Sequence, residues 1–267
     1  MRYFIHLAYF GKHYHGWQKQ PNAKSIQEEI ETKLSILLKE NIAVVGCGRT
    51  DTGVHAKQYY LHLDLDQPID CEKLASQLNA ILPKDISVYE VFEVAQNMHA
   101  RFSAISRQYE YWISLKANPF AQDLSYLYTK PLAVNKMNEA AKRLLLHQDF
   151  ECFSKLHTDV KTFNCQIKSA QWEINADGFL VFTIEADRFL RNMVRAIVGT
   201  LLEVGKGKIN AADFQKILDS KNRSEAGMSV PAQGLFLSKV SYLFHSLSLF
   251  VSLVSCVDPF RGINMVQ

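Results

Sequence analysis

Apolar residues change period along this chain, from two to about 3.6 and back, and no other feature limits the fold as much. Over residues 59–66, Tyr59, Leu61, Leu63 and Leu65 face one way and His62, Asp64 and Asp66 the other. Over 107–115, Tyr109, Tyr111, Ile113 and Leu115 share one face. Such runs are half-buried strands. Helical spacing intervenes. Ser25-Ile26-Gln27-Glu28 has the S-x-x-E form of a capping box and opens a run of Ile26, Ile30, Leu34, Leu37 and Leu38. Asp70 caps a second helix carrying Leu74, Leu78, Ile81 and Leu82, closed by Pro83. Further helices are expected over 134–146, from Met193 through Leu202 to Gly205, and from an Asn210 cap to Leu218. Strands are expected at 2–9, 41–46, 86–94, 166–174, 179–187 and 235–242, with a tight turn at Asp177-Gly178. Alternating strands and helices with an antiparallel hairpin predict an α+β fold. The pattern runs twice. It predicts two related units, 1–103 and 104–245, each a mainly antiparallel sheet with helices, and a tail, 246–267, to which no role attaches.

The 267 residues suit two domains or one large one at about 150 residues each. With 48% hydrophobic and 21% charged residues, the chain reads as folded, not disordered, collagenous or coiled-coil. No apolar run approaches the roughly 20 residues of a membrane span. Met1 to His6 lacks the apolar stretch and cleavage site of a signal peptide, so a cytoplasmic location is expected. The 30 Lys and Arg against 27 Asp and Glu are too balanced to imply nucleic acid, so any basic surface must come from local clustering. Five cysteines without a C-x-x-C pair argue against a disulfide framework or a thiolate zinc site.

The segment with most chemistry is Gly46-Cys47-Gly48-Arg49-Thr50-Asp51-Thr52-Gly53-Val54-His55-Ala56. Its glycines permit tight turns and close approach of a ligand. Thr50 and Thr52 can fix the one carboxylate. In an extended loop, Arg49, two residues before Asp51, points to the same side. A plain turn, with Asp51 bonded to its own backbone, is the structural alternative. Asp51-Thr52-Gly53 is also the triplet of aspartic hydrolases, but that chemistry needs two carboxylates sharing a proton, and the triplet occurs once here. His55 reads as a packing residue. His13 and His15 lie in a polar loop without an acid or Cys at metal spacing.

The run G-R-T-D-T-G-V-H-A resembles the catalytic signature of the bacterial tRNA pseudouridine synthase A family. Other motifs of that family follow in order: Gly16-Trp17-Gln18-Lys19-Gln20-Pro21, Leu82-Pro83-Lys84-Asp85-Ile86, His99-Ala100-Arg101-Phe102-Ser103-Ala104 and Arg107-Gln108-Tyr109-Glu110-Tyr111. Then come Asp149-Phe150 with Phe153, Met193-Val194-Arg195 with Ile197-Val198-Gly199, and Ala232-Gln233-Gly234-Leu235. The set spans about residues 1–243.

The resemblance implies isomerisation of uridine to pseudouridine at positions 38, 39 and 40 of the tRNA anticodon stem-loop. It implies two units flanking a basic cleft and a homodimer that binds tRNA, with no role for DNA or a membrane. The reaction is redox-neutral and hydrolyses no phosphate, so no metal or other cofactor is expected. The sequence likewise carries no P-loop, dinucleotide fingerprint or metal-spaced cluster. By the same resemblance Asp51 is the essential aspartate, Arg195 its paired cation, and Arg49 the group that holds the displaced base. Tyr109 lies against the target uracil, and Leu235, at the start of the family's final strand, is a further substrate-binding residue. Arg188, Arg191, Lys206 and Lys208 form a local excess of positive charge suited to RNA phosphates, with Lys221 and Arg223 beyond, and Gln18 of the G-W-Q-x-Q-P loop is a further RNA-binding residue. A non-catalytic tRNA-binding relative is the alternative.

Overall fold

A computed structural model describes residues 1–155 and 160–244; the predicted tail, 246–267, and Cys256 lie outside them. The elements run β1 (Arg2–Tyr9), α1 (Ile26–Leu38), β2 (Val45–Gly46), β3 (His55–Asp64), α2 (Cys71–Ile81), β4 (Ile86–Val94), β5 (Ala104–Ser114), β6 (Tyr126–Leu127), α3 (Val134–Ala141), β7 (Ile167–Ile174), β8 (Leu180–Ala186), α4 (Met193–Gly205), α5 (Ala211–Ser220) and β9 (Leu235–Tyr242). The three expected caps form, although of the box expected at Ser25 only the Ser25 half is made. Ser25 accepts from the Glu28 N–H, Asp70 from Lys73, and Asn210 with Asp213 forms a complete capping box.

The strands form one open sheet in the order β4-β1-β3-β9-β5-β8-β7, with β2 on β3 and β6 on β5. Pairing is antiparallel except between β3 and β9 and between β5 and β6. The α+β class and the mainly antiparallel sheets therefore hold. The two halves share one sheet, because β9 inserts between β3 of the first half and β5 of the second. The apolar interior divides at this seam. One core gathers residues between Tyr3 and Ala100 together with Leu237 and Val240 of β9. The other gathers Val54 and residues from Tyr111 to Leu235.

Two local expectations change. In 41–46 only Val45 and Gly46 pair as a strand. The N–H groups of Ile42 and Val44 instead donate to Ser35 Oγ (3.0 Å) and Glu31 Oε1 (3.1 Å) on α1, which satisfies that backbone without a ladder. The helix expected over 134–146 tightens after Ala141 into a 3-10 segment, Lys142–Leu146.

The face of β1 that carries Phe4 and His6 is packed with aromatic rings. Phe4 packs against Tyr60, His62, Phe92, Tyr242 and Phe244, and His6 stacks on Tyr60 with centroids 4.7 Å apart. His62, expected on a solvated face, is buried and accepts the Ala100 N–H at 3.1 Å. Burial lowers the pKa of both His6 and His62 to about 4. Unfolded histidine titrates near 6.5, so below that pH the unfolded chain binds more protons than the folded one. Stability is therefore expected to fall as pH drops from about 6.5 towards about 4. Urea midpoints across this window should show the slope, and His6→Phe, which keeps the stack, should flatten it.

Candidate active site

The loop between β2 and β3 is held from behind by aromatic residues. Tyr9 of β1 shares a hydrogen bond with Thr50 Oγ1 at 2.9 Å. The Tyr59 hydroxyl donates to the Gly48 carbonyl, and Trp17 stacks on the Tyr59 ring at 4.1 Å. The Trp17 N–H reaches the Thr50 carbonyl (3.3 Å) and the Gly53 N–H the Tyr14 carbonyl (3.2 Å). Burial pushes the Cys47 thiol up to about 11, so it stays protonated and packs as a small apolar group.

The floor is closed by His55. Its Nδ1 accepts the Gly11 N–H at 2.9 Å, and its Nε2 lies 3.0 Å from the Asp123 carbonyl and 3.1 Å from that of Gln233. This fixes a neutral ring with the proton on Nε2, and burial lowers its pKa further. The ring is occupied on both nitrogens, as its reading as a packing residue requires.

Asp51 rises from this base with a quarter of its side chain exposed. Among the described residues neither carboxylate oxygen accepts a hydrogen bond, which disfavours a self-bonded turn. Two guanidiniums flank it. Arg191 Nε lies 3.7 Å from Oδ1 and Arg195 Nη1 lies 3.7 Å from Oδ2. Both distances exceed a hydrogen bond, so charge holds the carboxylate while its lone pairs stay open to a ligand. The two cations differ. Arg195, on the first turn of α4, is 22% exposed and anchored by Nε to the Val230 carbonyl at 2.7 Å. Arg191 is 61% exposed. Gly199 lets the Met228 backbone lie directly on α4, where any Cβ would come within 1.8 Å of the Met228 oxygen, and this close approach sets the position of Val230.

Tyr109 stands at the seam and packs against both cores. Register shifts there: Gln108 pairs with Lys239 and Tyr109 with Leu237, so Ser238 is the extra residue of a β-bulge. Phe189 meets the Tyr109 ring edge-on at 5.1 Å. Burial, then Cys47 and Asp51, raise the Tyr109 pKa and keep its hydroxyl protonated. Leu235 is buried at the start of β9, opposite Tyr111.

Arg107 joins the parts. Its Nη1 donates to the carbonyls of Ala104 (3.1 Å) and Asp187 (2.9 Å), and its Nη2 to those of Cys47 (3.0 Å) and Arg101.

The sequence-predicted residues divide by place. Asp51, Arg191 and Arg195 converge, and Tyr109 is close enough to feel the Asp51 charge. Arg49 is exposed and bonds Gln18 Oε1 through Nε at 3.2 Å, with no ion pair to Asp51 among the described residues. Arg188 reaches the Thr162 carbonyl at 3.3 Å. Lys206 and Lys208 lie beyond the opposite end of α4, where both pair with Glu203 (2.7 and 2.8 Å) and line a hollow with Tyr128 and Lys130. Lys221 pairs with Asp149, and Arg223 bonds the 226–229 loop. Among the described residues no group of three or more His, Cys, Asp or Glu could hold a metal ion.

Sequence reasoning missed Phe189, Tyr9, Arg107 as a clamp and the Val230 carbonyl. Arg107 was visible as the first residue of R-x-Y-x-Y, whereas a backbone carbonyl leaves no side-chain signature.

The structure thus brings together an uncoordinated carboxylate, two flanking guanidiniums and a protonated tyrosine. Residues 6–103 and 140–243 match the family model described as tRNA pseudouridine synthase, and the chain belongs to that family. It is 53% identical over 242 residues to tRNA pseudouridine synthase A of Bacteroides fragilis, covering 90% of this chain and 96% of the relative. It is 51% identical to the protein of that name from Parabacteroides distasonis over the same shares. Identity to that of Bacillus subtilis is 38% over 246 residues, 91% of this chain and 99% of the relative.

The loop geometry allows one substitution to be predicted. Gly16 has φ +87°, and a Cβ there would fall 2.3 Å from the Thr50 carbonyl oxygen. Gly16→Ala should cost about 1–3 kcal/mol in urea unfolding. Gly48→Ala, whose Cβ meets open space, should stay near wild type.

Proposed function

We propose that the protein isomerises uridine to pseudouridine in tRNA, at positions 38, 39 and 40 of the anticodon stem-loop, as a cytoplasmic homodimer. The observation that carries this reading is Asp51, unbonded and flanked at 3.7 Å by Arg191 and Arg195. Family membership supplies the reaction class.

The reaction breaks the N-glycosidic bond, turns the uracil and joins its C5 to the ribose C1′. A proton leaves C5 and one is gained at N1, so the sum is an isomerisation. Asp51 supplies the carboxylate, as nucleophile or as base. Arg195, fixed by Val230, sets a positive charge 3.7 Å from one of the carboxylate oxygens. Arg191, more exposed and close by, adds positive charge where the ribose phosphates must lie. Arg49 projects from the same loop, and its planar guanidinium suits stacking on the vacated helix or gripping phosphate. Tyr109 offers an aromatic face to the displaced base, with Leu235 below it on β9. No helix among the described residues is long and apolar enough to cross a membrane.

The decisive experiment uses tRNA tritiated at uracil C5, because isomerisation must release that label to water. Asp51→Asn is expected to keep its fold and its tRNA affinity and to lose tritium release. Turnover near the wild-type rate in a folded Asp51→Asn sample would overturn the assignment.

Tyr109 tests the aromatic and hydroxyl roles separately. Flipping a base costs a few kcal/mol, of which stacking on an aromatic face returns about 1–3 kcal/mol. Tyr109→Phe keeps the face and is expected to bind tRNA normally but turn over far more slowly. Tyr109→Leu should lose affinity as well. Single-turnover rates beside binding measurements distinguish the two.

A further inference from the structure

Arg49 has no carboxylate partner among the described residues, yet it is not loose. Its Nε donates to Gln18 Oε1 at 3.2 Å. Gln18 Nε2 donates to Gln27 Oε1 at 2.9 Å, and Gln27 Nε2 donates to Glu31 Oε1 at 2.9 Å. Each amide accepts at one end and donates at the other, so three bonds run in one direction from a cation to a carboxylate. Dipoles aligned in this way polarise one another. The far end is rigid. Gln27 and Glu31 are one turn apart on α1, Gln27 Oε1 also accepts the Lys19 N–H (3.1 Å), and Gln27 Nε2 also reaches the Val44 carbonyl (3.2 Å). Glu31 Oε1 receives the Val44 N–H at 3.1 Å, just ahead of β2 and the loop that carries Arg49.

We propose that Gln18, Gln27 and Glu31 are positioning residues that preset the Arg49 guanidinium for the displaced nucleotide. The inference rests on the role given above to Arg49. The relay engages only Nε. The two terminal nitrogens make no bond among the described residues, so the fork that grips phosphate or stacks on a base stays available. Gln18 has both ends of its amide occupied inside the protein, so it acts through Arg49 rather than by direct contact with RNA. A relay of neutral amides aims the cation without closing a direct ion pair on it, and the positive charge is kept for the ligand.

The test is a double-mutant cycle read in single-turnover tritium release and in tRNA affinity. Gln18→Leu and Gln27→Leu are each expected to slow turnover about tenfold, near the lower end for loss of a hydrogen bond to a charged group, with affinity little changed. In an Arg49→Met background the same substitutions should cause no further loss, because residues acting through one group are not additive. Losses that multiply in full, or an affinity loss from Gln18→Leu that persists without Arg49, would overturn the proposal. A second measurement needs no turnover. The Arg49 Nε–H resonance of the full chain should exchange slowly with water, shift in Glu31→Gln and lose its protection in Gln18→Leu. Exchange as fast as that of a free arginine would show that the relay does not form. If wild-type protein released no tritium, the functional reading would fail while this resonance still reported on the relay.

Discussion

The Arg107 guanidinium is the point on which the molecule turns. It gives four hydrogen bonds to backbone carbonyls, and no carboxylate shares it among the described residues. Those carbonyls belong to the loop that carries Asp51 (Cys47), the junction between the halves (Arg101, Ala104) and the segment leading into α4 (Asp187). A guanidinium has five N–H donors in a rigid plane, and four carbonyls from three segments use most of them. A lysine offers fewer donors and no fixed plane, so it cannot hold the same geometry. Removing the fork would leave partly buried carbonyls without partners, each worth about 1–3 kcal/mol. Beside the shared strand β9, this side chain ties the two halves together where Asp51 from the first meets Arg191 and Arg195 from the second.

That registration explains how the site divides its labour. Arg195 is tied to the Val230 carbonyl, Arg191 is exposed to solvent, and Arg49 is linked to α1 through two amides. One carboxylate sits among these cations with its oxygens unbonded. The local field is positive although the chain is close to neutral, with 30 basic and 27 acidic residues. Lys206, Lys208 and Lys221, which look equally basic in sequence, are paired with Glu203 and Asp149 and contribute less free charge.

Much of this was legible in the residues, and the reasons are physical. Period-two alternation marked β3 and β5, caps marked α1, α2 and α5, and the glycine-bounded loop singled out Asp51, which lies between Arg191 and Arg195 in the structure. What could not be read was partnership. Alternation reveals faces but not neighbours, so nothing in the 235–242 run said that it would lie between β3 and β5. Polar positions in β3 gave no hint that His62 would be buried, stacked on Phe4 of β1 and met edge-on by His99. The short 41–46 strand failed because Ser35 and Glu31 satisfy its backbone from a helix, a solution that propensity does not encode. Linear clustering placed Lys206 with Arg191, whereas the length of α4 keeps them at opposite ends.

The seam strand also has a consequence for synthesis. Because β9 supplies Leu237 and Val240 to one core and Leu235 to the other, neither half is complete until residues 235–242 have left the ribosome. The first half can gather around β1, β3 and β4 much earlier, but it does so with an open edge on β3 and with the Asp51 loop facing no arginine from α4. The pairing of His55 with Phe236 spans about 180 residues, a long loop to close and a slow step to reach. In a nascent chain of this design, Asp51 meets Arg191 and Arg195 only after most of the translation is done, and both cores close on the same late strand.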